Sequence, residues 1–243
     1  MKKSNLIVAF VLTIPFVLNA QWNSRDKIKG NGTVVSKNIS TSSYDKIKVS
    51  GFFDVILFSG VEGKITIEGE ENLLEYIQIE VENNSLSIAV EKGKYIVRSH
   101  GKQILISVPF ESLNEVYLSG SGDIKSKDLI TTNSFNATLS GSGDINLEVK
   151  AKEINSEVTG SGDLELKGST DTFTCKVTGS GDLNASKLVS DSVNSKVIGS
   201  GNCKVNCTQN LEARVTGSGD IEYFGNPIKK DTKVTGSGDI SKG

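Results

Sequence analysis

The sequence predicts an all-β protein, a β-helix or β-solenoid with about 19 residues per rung and an irregular amino-terminal portion. Three observations predict it. The tetrapeptide Gly-Ser-Gly-Asp begins at Gly120, Gly141, Gly160, Gly179, Gly217 and Gly236, with a Gly-Ser-Gly-Asn variant at Gly199, so the first glycines recur at nearly constant intervals. A period that regular belongs to stacked units, each covering the apolar surface of the next. Apolar residues flank every copy with period two, the mark of strands with one buried face. Helical periodicity is almost absent, and the 243 residues include only three prolines.

Aligned on the first glycine, the copies resolve into columns. Two residues before it stand Leu118, Leu139, Val158, Val177, Val197, Val215 and Val234; one residue past the Asp or Asn stand Ile124, Ile145, Leu164, Leu183, Cys203, Ile221 and Ile240. Stepping outward by twos adds Phe135, Ile154, Phe173, Val193 and Leu211 on one side and Leu147, Leu166, Ala185, Val205 and Tyr223 on the other. A small-residue column, Ala137, Ser156, Cys175, Ser195, Ala213 and Thr232, lies between the upstream two. Each unit is thus expected to run strand, glycine corner, strand and a looser corner, the last at 167–172, 189–192 and 208–210. Strand spacing of about 4.8 Å makes six intervals a rod of roughly 30 Å.

The corner residues Gly120, Gly141, Gly160, Gly179, Gly199, Gly217 and Gly236 suit a sharp reversal, because glycine adopts positive φ without a Cβ clash. Asp123, Asp144, Asp163, Asp182, Asp220 and Asp239 offer a carboxylate to nearby backbone N–H groups, and Asn202 keeps the acceptor oxygen without the charge. That exchange favours turn holding over a charge-dependent role. The competing reading is a calcium-stabilised roll, since calcium takes oxygen ligands from stacked Gly/Asp corners. A single corner carboxylate per rung is sparse for such a site.

Residues 1–20 read as a secretory signal peptide: Lys2 and Lys3 ahead of the apolar run Leu6 to Leu18, then Leu18-Asn19-Ala20 before the expected cleavage. Gln21, where lipid anchoring requires Cys, predicts an exported, unlipidated chain, with an uncleaved amino-terminal anchor as the alternative. Residues 21–43 are polar and read as a flexible leader or edge strand. Residues 44–243 read as one β-solenoid domain, irregular over 44–118 and regular over 119–243. In the irregular part, alternating stretches around Ile47, Val55, Ile65, Ile79, Ile88 and Ile106 are separated by turn signals such as Glu62-Gly63, Asn83-Asn84 and Lys92-Gly93. Asn72 to Tyr76 suggests one helical turn. Gly51-Phe52-Phe53-Asp54-Val55 keeps the corner spacing but puts Phe53 in the second-glycine slot, so a degenerate corner is expected there. At the carboxyl end an unpaired sheet edge is expected, open to edge pairing with a second copy, against which Lys229, Lys230, Lys233 and Lys242 argue.

Five separated motifs, Val49 to Val55, Gly69 to Leu74, Leu86-Ser87-Ile88, Ile106-Ser107-Val108-Pro109 and Leu118 to Asp123, resemble in order those of the bacterial family called putative auto-transporter adhesin, head GIN domain. The resemblance runs from about Tyr44 to the carboxyl terminus. It implies a β-helix-like exported protein, common in Bacteroidetes-type bacteria, and brings no catalytic residues with it.

Chemistry beyond the corners is sparse. Cys175, Cys203 and Cys207 all fall in inward columns; Cys203 and Cys207, four apart on an extended run, lie about 13 Å apart, too far for a disulfide. They read as buried small hydrophobes, with a reactive thiol as the alternative that an odd count allows. The single histidine, His100, reads as an exposed loop residue. The outward columns, Tyr117, Thr138, Glu157, Lys176, Lys196, Arg214 and Lys233 in one and Lys125, Asn146, Glu165, Asn184, Lys204, Glu222 and Ser241 in the other, are mixed and carry no aromatic ladder. A net charge of −2 gives no electrostatic bias toward nucleic acid.

The functional expectation is an exported non-catalytic β-solenoid, a cell-surface adhesin or scaffold, located in the periplasm, on the outer-membrane surface or outside the cell. The expected partner is a surface glycan or protein, with no cofactor, no nucleic acid and no integral membrane segment once the signal is removed. A polysaccharide-acting β-helix enzyme is the alternative. Any ligand is expected near Phe52 to Tyr117, where Phe52 and Tyr95 are the first aromatics to consider.

Overall fold

The structure, a computed structural model, describes residues 26–243. The expected signal at 1–20 lies outside the described residues. Within them, period-two alternation becomes a parallel ladder. Strands Ser134–Gly141, Asp144–Gly160, Leu164–Gly179, Leu183–Gly199, Cys203–Gly217 and Lys229–Gly236 pair one rung apart. The column Leu139, Val158, Val177, Val197, Val215 and Val234 stays in register from strand to strand. The result is a β-solenoid of about seven turns with about 19 residues per rung. Its narrow core is one continuous stack of inward columns, with Phe135, Ile154 and Phe173 wholly buried.

The second corner differs from expectation. Strands of 15 to 17 residues run through it without a loop. The reversal is made where alternation slips and two consecutive residues face outward, at Lys152-Glu153, Asp171-Thr172 and Gln209-Asn210. Because the corners stack like the strands, their backbone groups stay paired with neighbouring rungs instead of leaving the ladder. Inward hydroxyls and a thiol cover the remaining carbonyls. Thr170 Oγ1 lies 3.0 Å from the Lys152 and Thr172 carbonyl oxygens, Ser190 Oγ donates to Leu188 O at 3.2 Å, and Cys207 Sγ donates to Asn210 O at 3.1 Å.

Unequal rung lengths are absorbed at this corner too. Glu165 to Lys167 spans two steps where Asn184 to Lys187 spans three, which supplies the one residue by which the rung from Gly179 to Gly199 exceeds its predecessor. Against the next rung, Ala185 to Val189 gains three steps over Val205 to Asn206, and Ser190 to Ser192 loses one against Cys207 to Asn210. The net two equals the amount by which the rung from Gly199 to Gly217 is shorter. Bulges take up the mismatch, and the glycine corners stay aligned.

The amino-terminal portion joins the same stack. Strand Lys46–Gly51 pairs parallel with Glu115–Gly120, and Asp54–Ser59 with Asp123–Ser126, placing Gly51 on Gly120 and Asp54 on Asp123. Beneath them lie Ser85–Val90 and Leu105–Phe110, also parallel. There the parallel ladder stops. Asn83 and Asn84, at φ 50° and 61°, make a tight hairpin turn that sets Ile77–Glu82 antiparallel on Ser85–Val90. Lys64–Glu70 runs antiparallel between Leu105–Phe110 and the edge strand Val34–Ser40. A short helix, Glu71–Leu74, begins one residue before the expected turn and buries Leu73 and Leu74 over this end of the core.

Phe53 is wholly buried in the slot that glycine fills in later corners. The strands below it, Ser85–Val90 and Leu105–Phe110, are not joined by a tight corner, so no corner backbone lies under it and the ring turns into the core. At the other end, Lys229–Gly236 is exposed along its length and Ile240–Lys242 completes the last rung.

Glu70 fastens the capped end. Its carboxylate is 1% exposed and accepts hydrogen bonds from Gly32 N at 2.6 Å, Ser99 N at 2.8 Å and Ser99 Oγ. Burial alone would raise its pKa, but these bonds, with the nearby Lys102 charge, outweigh that and hold it below its ordinary value. A depressed carboxyl stabilises the fold above its unfolded pKa of about 4.3, and the contribution is lost as pH falls through the lower folded value. Glu70→Gln is expected to lower the melting temperature at pH 7 and to lessen its dependence on pH below about 4.5. Thermal melts of both proteins from pH 3 to 7 check this; parallel pH curves would refute it.

Candidate functional site

The corner column is built from two different uses of glycine. The first glycine takes positive φ, +132° at Gly141, and its carbonyl turns along the stack. Gly120 O accepts from Ser142 N at 2.9 Å and Gly143 N at 3.1 Å, and Gly141 O accepts from Ser161 N at 2.9 Å and Gly162 N at 3.0 Å. The same pair of bonds recurs through Gly160, Gly179, Gly199 and Gly217 to Ser237 and Gly238. The second glycine has no positive φ. Its constraint is contact: a Cβ on Gly143 would fall on the carbonyl oxygen of Gly122, and one on Gly162 on that of Gly143.

The corner carboxylates of Asp144, Asp163, Asp182 and Asp220 reach one rung along. Asp144 Oδ1 accepts from Asp163 N at 3.3 Å, Asp163 Oδ1 from Asp182 N at 3.2 Å, and Asp220 Oδ1 from Asp239 N at 2.8 Å. Asn202 continues the chain. Its N–H donates to Asp182 Oδ1 at 2.8 Å, its side-chain amide donates to the same oxygen at 3.0 Å, and its Oδ1 accepts from Asp220 N at 3.1 Å. At the foot of the column Asp54 faces Asp123, and burial followed by the Asp123 charge raises its pKa.

We propose that these corner residues hold the turn and do not bind metal. Asp163→Asn, which preserves the acceptor, is expected to change stability by less than about 0.5 kcal/mol. The melting temperature of the unsubstituted protein should be indifferent to a calcium chelator. A chelator-dependent fall of many degrees in a calorimetric melt would overturn the assignment.

The outward columns form two strips, one on each side of the corners. Lys176, Lys196, Arg214 and Lys233 stand in register one rung apart. Part of that positive stripe is neutralised: Lys176 Nζ lies 2.7 Å from Glu157 Oε1, and Arg214 binds Asp231 on the strand Lys229–Gly236. The second column is similarly paired, with Lys204 to Glu222 at 2.8 Å and Asn146 Nδ2 to Glu165 Oε2 at 2.9 Å. Tyr117 is the one aromatic in either column.

The two aromatics singled out near the cap have separate environments. The Phe52 ring lies 5.4 Å from the Phe53 ring and carries the Arg98 guanidinium at 5.0 Å, whereas Tyr95 is 52% exposed. His100 is an exposed turn residue. The cysteines are all buried free thiols, and Cys175 and Cys203 bring their sulfurs to 3.6 Å across the core. Sequence spacing tests only neighbours on one strand, and this contact joins strands more than a rung apart. Glu70 stands in the Gly69 to Leu74 motif, but its partners are not legible in sequence, since Gly32 and Ser99 lie 38 and 29 residues away.

Among solved structures, the chain is similar to a putative adhesin from Bacteroides fragilis NCTC 9343, at 24% identity and a TM-score of 0.82, covering 88% of this chain and 99% of that one. It is similar also to a putative lipid binding protein from Parabacteroides distasonis ATCC 8503, at 26% identity and a TM-score of 0.71, with 89% and 99% covered. A putative adhesin from the same strain has 26% identity and a TM-score of 0.68, with 90% and 100% covered. No curated protein matches this chain. The sequence profile of one family matches residues 43–227, spanning the capped end, the degenerate corner and nearly every rung, and by that match the chain belongs to the family described as putative auto-transporter adhesin, head GIN domain.

Proposed function

We propose that this protein is an exported, non-catalytic adhesin that binds a glycan or protein on another surface through its outward face. The observation that carries the reading is the register of that face: Lys48, Tyr117, Thr138, Glu157, Lys176, Lys196, Arg214 and Lys233 follow one another rung by rung. Seven intervals of about 4.8 Å make a flat, polar strip roughly 34 Å long. A strip with a phenol, a hydroxyl and a carboxylate followed by four successive cations suits an extended ligand bound by many weak contacts. The membership in an adhesin family and the leader-like residues 1–20 support the same reading.

We place residues 44–243 in one solenoid unit and the mature chain at the cell surface or beyond the inner membrane. Among the described residues, no helix is long and apolar enough to cross a membrane.

The test is binding of the purified mature chain to immobilised glycans and extracellular proteins. Lys196→Glu combined with Lys233→Glu should weaken any binding found by tenfold or more, and Asp163→Asn should leave it unchanged. Equal loss in both variants, no binding to any surface, or release of products from a polysaccharide would overturn the proposal.

A further inference from the structure

Cys175 and Cys203 are 28 residues apart in sequence, yet their sulfurs lie 3.6 Å apart and both residues are 1% exposed. They are not ladder neighbours. Cys175 stacks between Ser156 and Ser195, and Cys203 between Leu183 and Ile221. Stacked neighbours in a parallel ladder point their Cβ vectors the same way, which a disulfide does not accept. These two residues instead face each other across the core from strands Leu164–Gly179 and Cys203–Gly217, so their side chains converge. Ser195 Oγ, on the intervening rung, donates to Cys203 Sγ at 3.3 Å, and the small column Ser156, Ser195 and Ala213 leaves room for either sulfur to turn. Bonding needs the sulfurs to close to about 2.05 Å, within reach of side-chain rotation. Cys207 is excluded from the pair by its place at the second corner, where its thiol donates to Asn210 O.

We propose that Cys175 and Cys203 form a disulfide when the chain folds in an oxidising compartment, stapling together segments about one and a half turns apart along the solenoid. The compartment rests on the export reading above; the pairing does not. Two thiols lose two protons and two electrons to an acceptor disulfide, that of a dithiol–disulfide oxidoreductase or of oxidised glutathione, which leaves as two thiols. Since both sulfurs are sealed in the finished core, the exchange belongs to folding. The bond bridges over the strand Leu183–Gly199, so the rungs nearest the exposed strand Lys229–Gly236 cannot peel away without carrying the crosslink.

Refolding the purified mature chain with oxidised and reduced glutathione, then quenching with iodoacetamide in denaturant, tests the pairing without reference to export. The oxidised product should be about 2 Da lighter than the dithiol before labelling and should take up one label, on Cys207, where the reduced protein takes up three. Trypsin places each cysteine in its own peptide, 168–176, 197–204 and 205–214, so the linkage is read directly. Cys207→Ser should keep the crosslink and Cys203→Ser should lose it. The crosslinked form should melt at least about 5 °C above its reduced counterpart. Three labelled thiols in the folded oxidised protein, or a linkage through Cys207, would overturn the proposal.

Discussion

Gly143→Val is expected to lower the melting temperature by roughly 10 °C, or to prevent folding, although valine is a strong strand former. Gly143 sits within the corner stack, where its own added Cβ would strike the Gly122 carbonyl oxygen and where Gly162 is seated against its carbonyl from the next rung. Neither obstacle is a side chain that can rotate away. Relief requires the corner backbone to move, and that lengthens the bonds from Ser142 and Gly143 to the Gly120 carbonyl. A loss of about 3–5 kcal/mol follows from such forced backbone displacement, and for a chain of this size each kcal/mol lowers the midpoint by about 2–4 °C. Gly60→Ala is the control, since a Cβ there meets nothing closer than 3.4 Å and φ is not in the left-handed region. Melts of the two variants within about 2 °C of each other would refute the stacking argument.

Phe173→Ala should be nearly as damaging. Phe173 is fully buried and in register with Ile154 before it and Val193 after it, so its ring fills a section of core that no other element can reach. Removing a buried phenyl ring costs about 3–5 kcal/mol, part from lost transfer and part from the cavity left behind. The solenoid cannot collapse into that cavity, because each rung is held at strand spacing by the rungs on either side. Ile228→Ala, at a residue 76% exposed, should shift the midpoint by no more than about 2 °C. Chemical denaturation of both proteins separates the outcomes, and equal midpoints would show that the column is not the source of stability.

The solenoid is legible because its unit repeats. Each copy reports the same alternation, and seven copies average out the ambiguity that a single short apolar run carries. The second corner reads as a loop in sequence for a physical reason: polar, irregular sequence signals a reversal but not whether the reversal stays hydrogen-bonded, and here the partner is the equivalent corner of the next rung. The second glycine likewise reads as a conformational device, when its constraint is the backbone of the next rung. Phe53 shows the difference, because the same slot accepts a phenyl ring where no corner lies beneath it.

Sequence alone determined the strands, the rung length, the register of the inward columns and the family, since all of these follow from local period and from residues that recur at fixed spacing. Tertiary structure decided the antiparallel cap, the burial of Glu70 against Gly32 and Ser99, and the meeting of Cys175 with Cys203. Those depend on which distant segments face one another across a core about 10 Å thick, a distance that no periodicity along the chain encodes.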